Sequence, residues 1–219
     1  MDLTHPYAAP TVRYLKESQL VIDFIGYLLA TAGIRPEETN APVPGLEKYL
    51  PLICEMTFQR NVDNFLTSIS DILTIVFTVR PEMLTSEEKL TYKEVLEYET
   101  KQELIAALAE RKVMDLSFKG LKELAEYLSA KHGFVLFEQA ADLERAAILV
   151  EKRNLLAHNR GYVNKRYLTR VKGAKEKLGE RLNIDARHVF DEQLFLARSN
   201  GEMQKGALQR FLLPVTPVA

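Results

Sequence analysis

The strongest constraint on the fold is an apolar stripe of helical period in the first half of the chain. Its members fall at spacings of three and four residues: Val62, Phe65, Leu66, Ile69, Ile72, Leu73 and Val76. Residues spaced in this way share one face of an α-helix, whereas a half-buried strand requires strict alternation. Pro81 ends the pattern, because proline cannot continue helical hydrogen bonding. The stripe therefore predicts a long helix that buries one face.

Further helix signals occur on both sides of this stripe. An earlier helix is predicted over about residues 11–32, and the proline-rich residues 33–51 are predicted to form a loop. Thr100 and Glu103 match a capping box, in which each side chain satisfies a free backbone N–H, and a helix to about Met114 is expected to follow. Another helix is expected over residues 138–158. The remaining signals are three N-cap candidates and one closing glycine: Ser117, Asn164, Asp185 and Gly133.

Only two short segments resemble strands, Phe134–Phe137 and Arg181–Ile184. The sequence contains no internal repeat, and its loops are too short to mark a domain boundary. We therefore expect one all-α domain over residues 1–219, with its core at about 61–200. An apolar, proline-punctuated tail at about 211–219 is expected to pack on the body of the protein or on a partner chain.

Composition narrows the protein class. The apolar fraction of 47% and charged fraction of 27% are ordinary for a soluble globular protein. The single cysteine, Cys54, allows no intramolecular disulfide and fits a reducing compartment. The apolar window at residues 20–34 is too short to span a membrane and contains Asp23, and the start does not resemble a signal peptide. We expect a cytoplasmic protein without a membrane partner.

Positive charge is concentrated in one segment. Residues 152–177 contain nine Lys or Arg and one acidic residue, Glu176, which gives a net charge of +8 in a chain whose total is -1. Such asymmetry favours contact with a polyanion. The alternative is a solvated helix face that is offset by the acidic stretch at residues 82–110.

Several common catalytic motifs do not occur in the sequence. It has no phosphate-binding loop, no Gly-x-Gly-x-x-Gly and no Gly-x-Ser-x-Gly. The four histidines are isolated from one another and from Cys54, so we expect no metal site and no cofactor. Cys54 lies in a predicted apolar helix, where packing is a better explanation than nucleophilic chemistry.

The most informative segment is Arg153-Asn154-Leu-Leu-Ala-His158, near the end of a helix that is apolar on two sides. Such a helix is either central in a bundle or shared with a second subunit. On a straight helix, Arg153 and His158 differ by about 140° in direction and about 7.5 Å in height. They can converge if the last turn frays, or if two copies of the helix pair across a dimer axis.

The chemistry of this pair suits RNA cleavage without a metal. Arginine binds phosphate oxygens through two parallel hydrogen bonds, and histidine moves a proton near neutral pH. The ribose 2′-hydroxyl supplies the nucleophile, with His158 as general base or acid and Arg153 stabilising charge on the phosphate. The alternative is structural: Arg153 pairs with a carboxylate, and His158 caps a helix end.

The segment resembles the Arg-x(4–6)-His motif of the HEPN superfamily. Asn154, directly after the arginine, and the continuation Asn159-Arg160-Gly161-Tyr162-Val163-Asn164 are also typical of that family. The resemblance implies an antiparallel helical bundle that dimerises so that two motifs face one cleft. The helices between residues 85 and 133 are then insertions typical of a larger prokaryotic variant.

Many members of this family are metal-independent endoribonucleases of toxin–antitoxin or antiviral defence systems, often with a nucleotidyltransferase-like partner that acts as antitoxin. By resemblance, Arg153 and His158 are the catalytic pair and Asn154 supports them. RNA-binding residues are expected in the basic segment: Arg160, Lys165, Arg166, Arg170 and Lys172. Two alternatives remain, a non-catalytic RNA- or nucleotide-binding or scaffold module, and a helical protein whose motif only stabilises a homodimer.

Overall fold

The computed structural model describes residues 9–31, 48–84 and 89–212, and these residues form an all-α helical bundle, as predicted. No strand occurs in these ranges. A 3₁₀ turn, Pro81–Leu84, follows the second helix, and a π-helical turn, Leu208–Leu212, follows the last one. The described residues form eight α-helices: α1 (Ala9–Thr31), α2 (Leu50–Val79), α3 (Tyr92–Leu96), α4 (Lys101–Ser117), α5 (Leu121–His132), α6 (Ala140–Asn159), α7 (Lys165–Arg170) and α8 (Ala186–Ala207).

Helix α2 is the centre of the bundle, in contact with α1, α4, α6 and α8. Six of the seven stripe residues are buried, and Val62, Phe65 and Val76 are completely so. The exception is Leu66, which is half-buried because it faces an open cleft. The predicted stripe therefore accounts for the helix around which the other helices pack.

Most predicted helix ends are confirmed. The side chains of Thr100, Asn164 and Asp185 accept hydrogen bonds from backbone N–H groups three residues on, at 3.2, 2.9 and 2.7 Å. Gly133 ends α5 with a φ of 60°, a left-handed conformation that glycine adopts without steric cost. The Glu103 carboxylate accepts from the backbone N–H of Glu99 instead of Thr100, so only half of that capping box forms.

Three local predictions were wrong. Ser117 does not begin a helix, because its hydroxyl donates to the carbonyl of Met114 and α4 continues through it, while Gly120 is the N-cap of α5. Phe134–Phe137 is an irregular connection in which Phe134 and Leu136 are buried by packing rather than by strand pairing. Arg181–Ile184 forms no strand, since it contributes only a single bridge between Arg181 and Tyr162.

Helix boundaries shift at the N-terminal end of the chain. Helix α1 is Ala9–Thr31, close to the predicted 11–32. Helix α2 begins at Leu50, inside the predicted loop, because Pro51 occupies the first turn, where its missing N–H needs no partner. The rest of the predicted loop and residues 213–219 of the apolar tail lie outside the described residues. Phe211, at the start of that tail, is buried against the ring of Phe134.

Helix α2 is also long and apolar enough to cross a membrane, with a mean hydropathy of 1.4 in its most apolar window. Half of that window is buried inside the protein, which is common for the core helix of a soluble protein as well. This helix does not overlap the apolar window at residues 20–34. The feature is weak evidence, and the expected location in the cell stays a prediction.

The two-sided apolar character of α6 has an explanation within a single chain. Helix α6 contacts α2 on one side, and α5 and α7 also pack against it. Ala146, Leu149, Leu155 and Leu156 are buried, while Leu143, Ala147, Ile148 and Val150 are half-buried. This pattern therefore needs no second subunit, and the homodimer stays a prediction that rests on other grounds.

Candidate functional site

The C-terminal turn of α6, which carries His158, is anchored to the rest of the protein. Arg160 and Gly161 have φ values of 54° and 78°, which turn the chain sharply after the helix. Gly161 is required there, because an added Cβ would lie 3.2 Å from Leu156 Cδ2. The Gly161 N–H donates to Leu155 O at 2.9 Å, and the Gly161 carbonyl accepts from the N–H of Leu182 at 2.9 Å.

The segment that holds this turn is itself anchored to the rest of the protein. The N–H of Val163 donates to Glu180 O at 2.8 Å, and the guanidinium of Arg181 forms an ion pair with Glu55 of α2 at 2.8 Å. The Glu55 carboxylate is mostly buried, so this pair anchors the loop to the central helix. Helix α6 therefore runs as a regular helix to Asn159, and fraying of its last turn does not bring His158 towards Arg153.

A cleft of about 480 Å³ opens between α2, α4, α6 and α7. Four of the predicted site residues line it. Arg153 and Asn154 come from the motif, and Arg166 and Arg170 come from the basic segment. The charged residues that line it in the described part of the chain are four cations and two anions: Lys119, Arg153, Arg166, Arg170, Asp63 and Glu151. The excess of positive charge suits an anionic ligand such as a phosphate group.

Arg153 is fixed in this cleft by two polar neighbours. Its Nε lies 2.6 Å from Asp63 Oδ1 on α2, and its Nη1 donates to Asn154 Oδ1 at 3.2 Å. The side chain is 27% exposed, so the guanidinium reaches the cleft surface. Since a guanidinium has five N–H donors, these two contacts leave further donors for a ligand.

The two arginines of α7 differ in their pairing. Arg170 Nη1 donates to Glu151 Oε1 at 2.7 Å, and this hydrogen bond raises the pKa of Arg170. Arg166 is exposed and makes no ion pair with any described residue. Arg166 is therefore the more available cation, while Arg170 also neutralises a half-buried carboxylate.

The structure does not bring the other predicted residues into the cleft. His158 is exposed and makes no hydrogen bond or ion pair within the described residues. Arg160, Lys165 and Lys172 are also exposed and do not line the cleft. Within one chain, Arg153 and His158 of the motif therefore lie on different surfaces.

The basic segment is not a single positive face. The ammonium of Lys152 turns inwards and pairs with Glu176 at 3.4 Å, with only 18% of its side chain exposed. Glu176 also accepts from the hydroxyl of Tyr167 at 3.3 Å. Burial opposes ionisation of Glu176, but its hydrogen bonds and Lys152 prevail and lower its pKa. Part of the +8 charge thus anchors the segment that follows α7 to α6.

Three charged residues of the cleft were not predicted from the sequence: Glu151, which lies two residues before Arg153, and two residues distant from the motif, Asp63 and Lys119. Asp63 stands next to the apolar stripe of α2, and nothing in its local pattern indicates a partner 90 residues later. Lys119 lies in the connection between α4 and α5, in a stretch predicted to begin a helix. Both reach the cleft through tertiary packing, which local sequence patterns do not encode.

The remaining reactive side chains support structure. Cys54 is 1% exposed, and burial, together with Asp185 and Glu55, raises its pKa to about 11, so the thiol stays protonated. His132 packs against the rings of Phe77 and Tyr127. Across residues 9–31, 48–84 and 89–212, no three His, Cys, Asp or Glu side chains come together in a group that could hold a metal ion.

Comparisons with protein-family models, curated proteins and solved structures give no match to this chain. The class that the fold defines is an all-α helical bundle with a cationic cleft on one side of its central helix. Membership of the HEPN superfamily stays a prediction from the Arg153-to-His158 motif.

Proposed function

We propose that this protein is a metal-independent endoribonuclease of a toxin–antitoxin or antiviral defence type, with each active site completed by two copies of the chain. The observation that carries the proposal is the separation of the motif pair on a rigid helix. Arg153 faces a cationic cleft, and His158 is exposed on an anchored turn and has no partner among the described residues. A second copy of the chain then supplies the histidine that acts beside Arg153 and the arginine that acts beside His158.

The proposed reaction uses groups that the chain and RNA already supply. The 2′-oxygen attacks the adjacent phosphorus, and the bond from phosphorus to the 5′-oxygen breaks. His158 takes the proton of the 2′-hydroxyl or gives a proton to the departing 5′-oxygen, and water takes or supplies the other proton. Arg153 stabilises the charge on the phosphate oxygens, with Asn154 holding its guanidinium. The products are a 2′,3′-cyclic phosphate and a 5′-hydroxyl.

A mixing experiment tests both the chemistry and the shared site. Arg153→Ala and His158→Ala are each expected to lose cleavage of cellular RNA in EDTA. Mixed together after subunit exchange, they are expected to recover about a quarter of the wild-type rate, because half of the dimers are mixed and each contains one complete site. Lys205→Ala, on the exposed side of α8, is the matched control and keeps full activity.

Three results contradict this proposal. Cleavage that persists in both single variants places the chemistry elsewhere, and cleavage that a chelator abolishes shows that a metal is required. A mixture that stays inactive, while each variant remains a folded dimer, contradicts the shared site.

The second candidate is a non-catalytic RNA- or nucleotide-binding module or scaffold. Arg153 already has Asp63 and Asn154 as partners, and His158 does not line the cleft, which favours this candidate. Arg166 and Arg170 then bind the phosphates. It predicts salt-sensitive RNA binding that His158→Ala leaves unchanged, with no new RNA ends.

A further inference from the structure

A second pocket, of about 140 Å³, lies between α1 and α8 and shares no residue with the cleft. Pockets for drug-sized ligands are roughly 300–1,000 Å³, so this one has room for a single small ring system. Its walls are mainly aliphatic and aromatic side chains of the two helices: Val21, Ile22, Ile25, Ala186, Val189 and Phe190.

Three polar atoms of two buried amides in this pocket lack hydrogen-bond partners among the residues that the structure describes. Gln193 is 2% exposed, and neither its Oε1 nor its Nε2 has a partner within the described residues. Asn61, on α2, is 3% exposed, and its Oδ1 is also unpartnered. Buried polar groups without partners destabilise a fold, so such groups in a pocket indicate a ligand that supplies the missing bonds. The pocket offers two acceptors and one amide donor.

We propose that this pocket binds a nucleobase, an uncharged planar ring with a hydrogen-bond donor beside an acceptor. The flat faces of a base suit the apolar walls, and its polar edge pairs with Gln193 as glutamine pairs with adenine in nucleic-acid recognition. Phe190 is 47% exposed beside the pocket and offers a ring on which a base can stack.

The lining disfavours purely apolar and charged occupants. A purely apolar group would leave the amides of Gln193 and Asn61 unpaired. A charged group would lose hydration without compensation inside the pocket, because Arg187 is the one charged lining residue among those that the structure describes, and its side chain is 78% exposed beside Asp191. The inference does not depend on RNA cleavage, because Arg153 and His158 lie outside this pocket.

The test is a nuclear magnetic resonance titration of the full-length, ¹⁵N-labelled protein with adenosine, guanosine, cytidine and uridine. At least one nucleoside is expected to shift the side-chain amide signals of Gln193 and Asn61 in a saturable way. Gln193→Met is expected to weaken binding by about tenfold or more, because it removes the paired edge. It is also expected to raise the melting temperature, because the two unpaired polar atoms of the Gln193 amide are then no longer buried.

Gly26 provides a second variant that does not disturb the core. It lines the pocket on α1, and a Cβ added there meets no atom within 4 Å. Gly26→Leu fills the opening and is expected to abolish nucleoside binding, while Gly26→Ala, the matched control, keeps it. Both substitutions favour the helix.

Three results overturn the proposal. The first is that none of the four nucleosides shifts the amide signals in a saturable way. The second is that the shifts are confined to residues of the cleft. The third is that Gln193→Met and Gly26→Leu both bind nucleosides as tightly as the wild type. A free nucleoside and a base within a strand present the same edge to the pocket. A four-nucleotide RNA is therefore titrated in parallel to distinguish the two.

Discussion

The guanidinium of Arg153 on α6 lies 2.6 Å, from Nε to Oδ1, from the carboxylate of Asp63 on α2. The residues are 90 positions apart, and their pairing links the motif helix to the central helix of the bundle. It also neutralises part of the charge that a phosphate would meet in the cleft. The ion pair thus opposes ligand binding while it positions the arginine.

Asp63→Asn is expected to tighten RNA binding, because it removes a carboxylate from the cleft and frees Arg153. The slope of log affinity against log salt concentration is expected to steepen by about one phosphate contact. The free energy of unfolding should change by less than about 1 kcal/mol, since both side chains are partly exposed. Asp71→Asn is the control. Asp71 also lies on α2 but does not line the cleft, and the substitution removes its ion pair with Arg13. Weaker binding by Asp63→Asn would mean that positioning of Arg153 dominates.

Arg166→Gln and Arg170→Gln are expected to separate binding from stability. Arg166 has no ion pair among the described residues, so its loss should weaken RNA binding and change the free energy of unfolding by about 0.5 kcal/mol or less. Arg170 pairs with Glu151, whose side chain is only 13% exposed. Its loss should also cost about 1 kcal/mol of stability. Salt-dependent RNA binding and urea unfolding provide the two measurements, and equal effects on both would contradict the distinction.

Acidification below about pH 6.5 is expected to destabilise the protein through two histidines. Burial, with Lys152 and Arg145 nearby, lowers the pKa of His188 despite Glu192 and Asp185. Burial, with Lys112 and Lys131, lowers the pKa of His132. The unfolded chain, with the usual value of 6.5, then binds more protons than the folded one, so stability decreases as pH falls towards the folded pKa values.

Urea unfolding at several pH values between about 5 and 8 measures this effect. The double variant His132→Gln, His188→Gln is expected to flatten the dependence in that range. Glu192 lies 3.7 Å from His188 Nδ1, so the opposite trend would show that this ion pair outweighs burial. A slope that the double variant retains would assign the effect to other groups.

Phe65→Ala is expected to lower the free energy of unfolding by about 3–5 kcal/mol, because it leaves a cavity in the core. Phe65 is completely buried, and its ring lies 6.2 Å from that of Phe137, between centroids. Phe118→Ala is the matched control: the same deletion at a side chain that is 82% exposed should change stability by about 0.5 kcal/mol or less. Urea unfolding measures both. A small effect at Phe65 would contradict its place in the core.

The helices were predictable because their signals are local. The stripe of α2 and the caps Asn164 and Asp185 depend on residues within a few positions of one another. Phe134–Phe137 was mistaken for a strand because its apolar residues are buried by distant helices, a tertiary effect. Similarly, the approach of Asp63 to Arg153 depends on how α2 packs against α6, and no local pattern contains that information.

The anchored turn after α6 has a consequence for the energetics of recognition. A side chain on a frayed helix end must lose backbone freedom when it engages a partner, and each ordered residue costs about 1–2 kcal/mol. The backbone below His158 is already held by Gly161, Val163 and the pairing of Arg181 with Glu55. That loss of entropy occurs during folding, so a molecule that binds His158 meets a side chain whose backbone is already ordered.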